Sequence, residues 1–333
     1  MDSTFNANDL GLTLVNNYKS TLIQFNYNLY EPFWKMRELY NNLNINYKTN
    51  FSTGKKEDLS INFNSWGTFN NYLSAWAGAY YRFCEVYDYY EPRVPWRFYI
   101  LPKAESWWLG LSSDYRNPVA LDMEYNFVSA RKNKYISNSL RITPIIRTSN
   151  HLKFSHTLSY NKFKNDPGYV EIDTTGNIIF GRRDIQIWEN ALSGKYLFRN
   201  NLSLTLSLRH YWARGEYRQY YNLLDNGYLD EDCAYNSNNN FNFNAFNIDL
   251  LFNWEFAPGS NLSLGYKNAI YNEENIIIQS FSENFRHTLK SPQTNSISLK
   301  VLYYFDYQTL KRNLNFKFWI ILPEKTRFQK ISQ

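Results

Sequence analysis

The sequence predicts an all-β protein: an antiparallel transmembrane β-barrel of about 14 strands. Three observations predict it. Apolar and polar residues alternate with period two through most of the chain, which is the spacing of a two-faced strand. Many alternating runs last about ten to fourteen residues, longer than ordinary soluble strands and close to a tilted bilayer crossing. Connections alternate between short turns and long polar links, as in barrels with turns at one end and loops at the other.

The elements follow in order. Leu10, Leu12 and Leu14 open the first run, and Ile23, Phe25, Tyr27 and Leu29 make the second. Leu43, Ile45 and Tyr47 alternate with Asn42, Asn44 and Asn46, and Leu59, Ile61 and Phe63 alternate with Ser60 and Asn62. Residues 72–83 mix Tyr, Trp and Ala without a clear phase, and 84–104 carry three prolines and read as a long loop. Trp107, Trp108 and Leu109 lie in the next strand. Leu121, Met123, Tyr125 and Phe127 follow, then Leu140, Ile142, Pro144 and Ile146. Pro144 lacks a ladder donor, so a bulge or kink is expected there. Leu152, Phe154, His156, Leu158 and Tyr160 form another face, 164–183 reads as a polar loop with a small hairpin at Thr175-Gly176, and 184–197 as a strand with a phase slip near Asn190.

Asn200-Asn201 then turns into Leu202, Leu204, Leu206 and Leu208. Residues 215–243 read as a loop. The clearest hairpin comes next: Phe246, Ile248, Leu250, Phe252, Trp254 and Phe256 against Asn247, Asp249 and Asn253, broken by Ala257-Pro258-Gly259-Ser260, whose chemistry is that of a turn. Residues 272–293 read as a loop, and Ile297, Leu299, Val301, Tyr303 and Phe305 close the series. The turns at 69–71, 115–118, 148–150, 199–201 and 257–260 are short, and the links 84–104, 164–183, 215–243 and 272–293 are long, with 131–134 as an exception. Leu204, Leu206, Ile248, Leu250 and Phe252 are expected against lipid, Asn, Ser, Asp and Lys toward the lumen, and Trp107, Trp212 and Trp254 in interfacial girdles.

Composition narrows the class. Aromatics at 19% exclude a disordered chain. No run approaches the ~18 apolar residues of a membrane helix, which leaves a barrel open. The net charge of +6 comes with basic pairs at strand ends: Lys55-Lys56, Arg131-Lys132 with Lys134, Arg182-Arg183 and Lys311-Arg312. No nucleic-acid motif accompanies them, so solvated loops or anionic headgroups account for them and nucleic acid is not an expected partner. Cys84 and Cys233 form no metal pattern. No signal peptide opens the chain, so either the membrane reading fails or the original N-terminus is missing.

The element Phe252-Asn253-Trp254-Glu255-Phe256-Ala257-Pro258-Gly259-Ser260-Asn261-Leu262 carries a family resemblance, together with Asn8-Asp9-Leu10-Gly11, Glu31-Pro32-Phe33 and the run from Ser298 through Leu302 to Tyr307. The chain resembles the C-terminal barrel region of an outer-membrane family of Bacteroidota-type bacteria. That region is a domain of unknown function that usually follows a carbohydrate-binding module of family nine. The resemblance implies a barrel over residues 1–307 with 308–333 as a basic tail or an extra strand, further strands normally preceding residue 8, and a fragment that forms an open sheet or a strained closure. Leu314, Phe316, Phe318 and Ile320 alternate within that tail. The resemblance also implies the bacterial outer membrane, with lipid as partner and carbohydrate or other envelope proteins as further candidates.

The search for chemistry assigns no catalytic, cofactor-binding or metal-ligating residue. His156 faces outward between Phe154 and Leu158, His210 continues the Leu202–Leu208 face, His151 lies in a turn and His287 in a loop, while Ser155 and Ser207 fall on the opposite face from their histidine neighbours. Asp122 and Glu124 share a strand face at a spacing a glycosidase pair could use, and lumen-lining charge is the alternative. The Asn and aromatic stretch 235–246 suits sugar stacking, peptide binding or a solvated loop. The expected function is therefore a non-enzymatic envelope protein: a pore, a receptor or a membrane anchor of a surface assembly linked to glycan handling. The alternatives are a barrel-embedded hydrolase and a soluble β-sheet binding protein.

Overall fold

A computed structural model of the chain describes residues 16–305. The strands are β1 (Tyr18–Leu29), β2 (Met36–Asn50), β3 (Lys56–Phe69), β4 (Ser74–Arg82), β5 (Val86–Asp88), β6 (Tyr99–Leu101), β7 (Ala104–Ser112), β8 (Val119–Ala130), β9 (Tyr135–Arg147), β10 (Leu152–Ile172), β11 (Ile178–Arg199), β12 (Leu202–Leu223), β13 (Leu229–Asp230), β14 (Phe241–Ala257), β15 (Ser260–Glu274) and β16 (Gln293–Leu302). One helix, α1 (Phe281–Lys290), lies between β15 and β16. The run at Leu10, Leu12 and Leu14 and the 308–333 tail with Lys311-Arg312 lie outside the described residues.

All strands but β5 and β6 join one fourteen-stranded antiparallel sheet, as the alternation predicts. Thirteen of them form a continuous path, β1-β2-β3-β4-β7-β8-β9-β10-β11-β12-β14-β15-β16, and β13 adds two residues to β12. In a path of alternating directions the first and last of thirteen strands run the same way. β1 and β16 therefore cannot pair antiparallel with each other, and among the described residues the sheet is open between them. At one end lie the links 30–35, 70–73, 113–118, 148–151, 200–201 and 258–259, all short. The longer excursions, including β5-β6 and α1, gather at the other end.

Directly paired residues in such a ladder point to the same side. One row crosses the sheet through Tyr40, Trp66, Trp76, Gly110, Glu124, Arg141, Ser159, Glu189 and Tyr211. This face is concave. A single 590 Å³ hollow touches both Trp76 on β4 and Glu189 on β11, although five strand spacings, roughly 24 Å along the sheet, separate these strands. The β5-β6 segment agrees. Tyr90 Oη donates to the Asn16 carbonyl (3.1 Å) and Arg97 Nη2 to the Leu223 carbonyl (2.7 Å). Seven residues reach at most ~25 Å, whereas β1 and β12 lie nine spacings, roughly 43 Å, apart along the wall. The sheet thus curls strongly, and the β5-β6 segment spans the chord at its loop end. There Tyr99, Ile178, Phe180, Tyr221 and Leu223 form the buried core.

The opposite, convex face carries the apolar stripe. On β12 and β14, Leu204 pairs with Phe252, Leu206 with Leu250 and Leu208 with Ile248. Large side chains remain open to solvent there: Phe63 is 44% exposed, Leu109 49% and Ile297 77%.

Several local expectations change. The stretch expected as a loop at 164–183 is largely strand, and so is the 215–223 part of the loop expected at 215–243, because β10 to β12 run for 21 or 22 residues. Asn165, in the left-handed region at φ 52°, absorbs their irregularity in a bulge between Phe163 and Asp166. Gly176, at φ 86°, makes the Thr175-Gly176 turn as expected. No slip occurs at Asn190, which pairs with Leu158 and His210 in register; the shifts fall at Arg182/Arg183 and Leu197/Arg199. Pro144 causes no bulge. Its missing donor only interrupts the β9-β10 ladder between Ile142 and Ile145, and the register continues unchanged. Within 272–293, Ser280 caps α1 by accepting from Glu283 N, a Ser-x-x-Glu signal for a helix start that the strand pattern obscured.

Candidate binding face on the concave wall

The concave row brings together side chains that are far apart in sequence. Trp66 and Trp76 are cross-strand partners, and Trp76 stands opposite Gly110. A Cβ at Gly110 would fall 2.3 Å from the Trp76 ring, so the indole rests on the glycine backbone. Gly78 holds Trp108 in the same way, at 2.2 Å. These two glycines let bulky rings lie against the wall instead of standing off it.

Beyond Gly110 the row turns polar. Asp122, Glu124, Arg141, Thr143, Thr157 and Glu189 line the 590 Å³ hollow beside Trp76. Ser112 Oγ and Tyr115 Oη each donate to a separate oxygen of Asp122 at 2.6 Å. Asn126 Nδ2 donates to Glu124 (2.9 Å). Glu189 is ion-paired with Arg209 (2.6 Å), and Asp249 with Lys267 (3.3 Å). Acids and bases therefore alternate around the concave face. Asp122 and Glu124 do share that face, as predicted, but both oxygens of Asp122 are occupied by hydroxyl donors.

The histidines stay apart. His156 pairs with Leu192 on the convex face, as its phase predicts. His210 lies on the same face but is covered by α1, 2% exposed, with its ring against Phe281 and Phe285. His151 Nδ1 meets the Leu197 carbonyl (2.9 Å), and His287 Nε2 lies 3.8 Å from Glu274. Ser155 and Ser207 face the concave side. Among the described residues no three potential ligands are grouped to hold a metal, and both cysteines are free.

Two expected surface features are buried instead. Trp212, expected in a girdle, is 2% exposed and donates from Nε1 to Asn242 Oδ1 (2.7 Å). Asn242 and Asn244, read as parts of a polar binding loop, are fully buried and donate to Asn284 Oδ1 of α1 (3.0 and 3.2 Å). The amides fasten the helix to the wall just beyond the apolar stripe. The described basic pairs lie at the loop end, matched by local partners: Lys55 over Phe98, Lys132 with Glu85 and Arg183 with Asp166.

A second cavity, of 840 Å³, sits at that end among Lys56, Tyr81, Tyr87, Lys103, Arg131 and Tyr228. Tyr228 Oη donates to Glu85 (2.7 Å), and Lys132 bonds its other oxygen. The Lys132 ammonium, then the Tyr228 hydroxyl, hold the Glu85 carboxyl below the usual range. Burial pushes the Tyr99 hydroxyl nearby up to about 12.

The row of Trp76, Glu124, Arg141 and Glu189 was not legible in the sequence, because it depends on which strands pair. The local signal was a glycine two residues after a tryptophan, Trp76-Ala77-Gly78 and Trp108-Leu109-Gly110, within aromatic runs.

Comparison with known proteins adds three findings. No curated protein matches the chain. A solved NanC porin is similar over 85% of this chain and 99% of its own, at 8% identity and a TM-score of 0.26, too low to carry an argument. A domain of unknown function, DUF5916, matches residues 1–314, and the chain therefore belongs to that family.

Proposed function

We propose that the curved wall is a transmembrane β-barrel wall of the bacterial outer membrane, and that the protein is a non-enzymatic pore or receptor with lipid on its convex face. The segregation of the two faces carries this reading. On β12 and β14 the convex residues from Leu202 to Leu208 and from Ile248 to Trp254 are apolar, while Ser207, Arg209, Asn247 and Asp249 lie on the concave face. From Phe246 to Phe256 the stripe runs ten steps, ~33 Å along the strand and ~25 Å along the axis at a tilt of ~40°, the height of a barrel's apolar band. A soluble sheet would bury such a face under a second layer, yet its side chains stay partly or fully exposed here on β1 to β4, on β7 to β9 and on β16. Every link at one end is short and the longest links all lie at the other end, beside the short ones at 51–55, 131–134 and 173–177, which supports the same reading.

The test is refolding of the full chain from urea with and without lipid vesicles. The reading expects a folded, vesicle-associated form that resists protease and shifts mobility on heating. A monodisperse monomer in buffer without detergent or lipid would overturn it.

A further inference from the structure

We propose that the concave wall holds a neutral saccharide on the Trp76 ring. The inference rests on the row geometry and stands whether or not the convex face meets lipid. Trp76 rests against Gly110, so one face of its indole packs on the wall and the other is presented to the hollow. A pyranose has an apolar C–H face that fits such a platform and a rim of hydroxyls that each donate and accept. The remaining lining supplies that mixture: carboxylate acceptors at Glu124 and Glu189, guanidinium donors at Arg141, and hydroxyls at Thr143 and Thr157. The 590 Å³ hollow is within the ~300–1,000 Å³ of small-molecule sites.

Charge selects within the class. Asp122, Glu124 and Glu189 face the hollow against Arg141, with Arg209 paired to Glu189 from the side. Carboxylate- or phosphate-bearing sugars meet an excess of acid and are disfavoured. A quaternary ammonium would use the ring and the acids but accept nothing from the Arg141 guanidinium or from the Thr143 and Thr157 hydroxyls, which lie 3.1 Å apart and bond each other. A neutral saccharide uses all of them.

The experiment titrates the full chain, folded in a detergent without a sugar headgroup, with maltose, cellobiose, chitobiose, glucuronate and choline, read by calorimetry and tryptophan fluorescence. Saturable binding of at least one neutral disaccharide is expected, with weaker binding of glucuronate and choline. Gly110→Ala drives a Cβ into the Trp76 ring and should weaken binding roughly tenfold, as should Trp76→Ala, the scale of one lost ring contact. Trp76→Phe should retain part of the affinity, Glu124→Gln should weaken it, and Leu109→Ala on the convex face should leave it unchanged. Circular dichroism confirms that each variant is folded, and Trp76→Phe substitutes for any variant that is not. Absence of saturable binding by every neutral sugar, equal or tighter binding of choline or glucuronate, or wild-type affinity in folded Gly110→Ala and Trp76→Phe together would each overturn the proposal.

Discussion

Arginine at Leu206 and at Ser207 places the same charge on opposite faces of one strand. Leu206 is flanked by Leu250 on β14 and Gly194 on β11. Leu250 lies four residues from Phe246 and six from Phe256 on an apolar stripe of ~25 Å, so Leu206 sits roughly 10 Å from the loop-side edge, near the middle. An arginine there faces hydrocarbon and should cost about 2–4 kcal/mol. Ser207 stands opposite Asp249 and Ser193 on the concave face. An arginine there reaches water and a carboxylate, and its cost should lie within about 0.5 kcal/mol of zero. Urea titration of vesicle-folded protein, followed by tryptophan emission, measures both. Equal costs would refute the assignment of faces. A large cost at Ser207 with none at Leu206 would invert it.

Other perturbations test the remaining structure. Asn284→Ala leaves the buried amides of Asn242 and Asn244 without their shared acceptor. It should cost about 1–3 kcal/mol for each group left unpaired, and limited trypsinolysis should then cut at Arg286 and Lys290. Gly78→Ala overpacks the Trp108 ring and should cost about 1–3 kcal/mol in the same urea titration. The depressed Glu85 pKa means that its bond to Lys132 contributes stability above the ordinary carboxylate range and loses it as pH falls through the lowered value. Glu85→Gln should therefore flatten the acid limb of a stability profile below about pH 4. Because β1 and β16 run the same way, cysteine pairs such as Ile23 with Leu299 should yield no antiparallel cross-linking register in the full chain, and such a register would refute this strand order.

The period of the side chains determined the elements by itself. Alternation at Leu202 to Leu208 and Phe246 to Phe256 fixes both strand and face, because a strand turns each successive residue by half a revolution and water sorts the two sides. Pro258-Gly259 determined its hairpin through the backbone freedom of one glycine, at φ 73°. Where the period weakened, local pattern no longer marked the element. The polar extensions of β10 to β12 read as loop, since backbone pairing holds them as much as apolar burial does, and the Ser280 cap was hidden in a polar stretch. What only the tertiary structure decided is lateral. Pairing places Trp76 beside Gly110 and Glu124 beside Arg141, across gaps in sequence that no local pattern spans. Likewise Trp212, Asn242 and Asn244 looked like surface groups, and docking of α1 buried them. Register is set by many ladder bonds acting together, so its consequences emerge only once the wall is assembled.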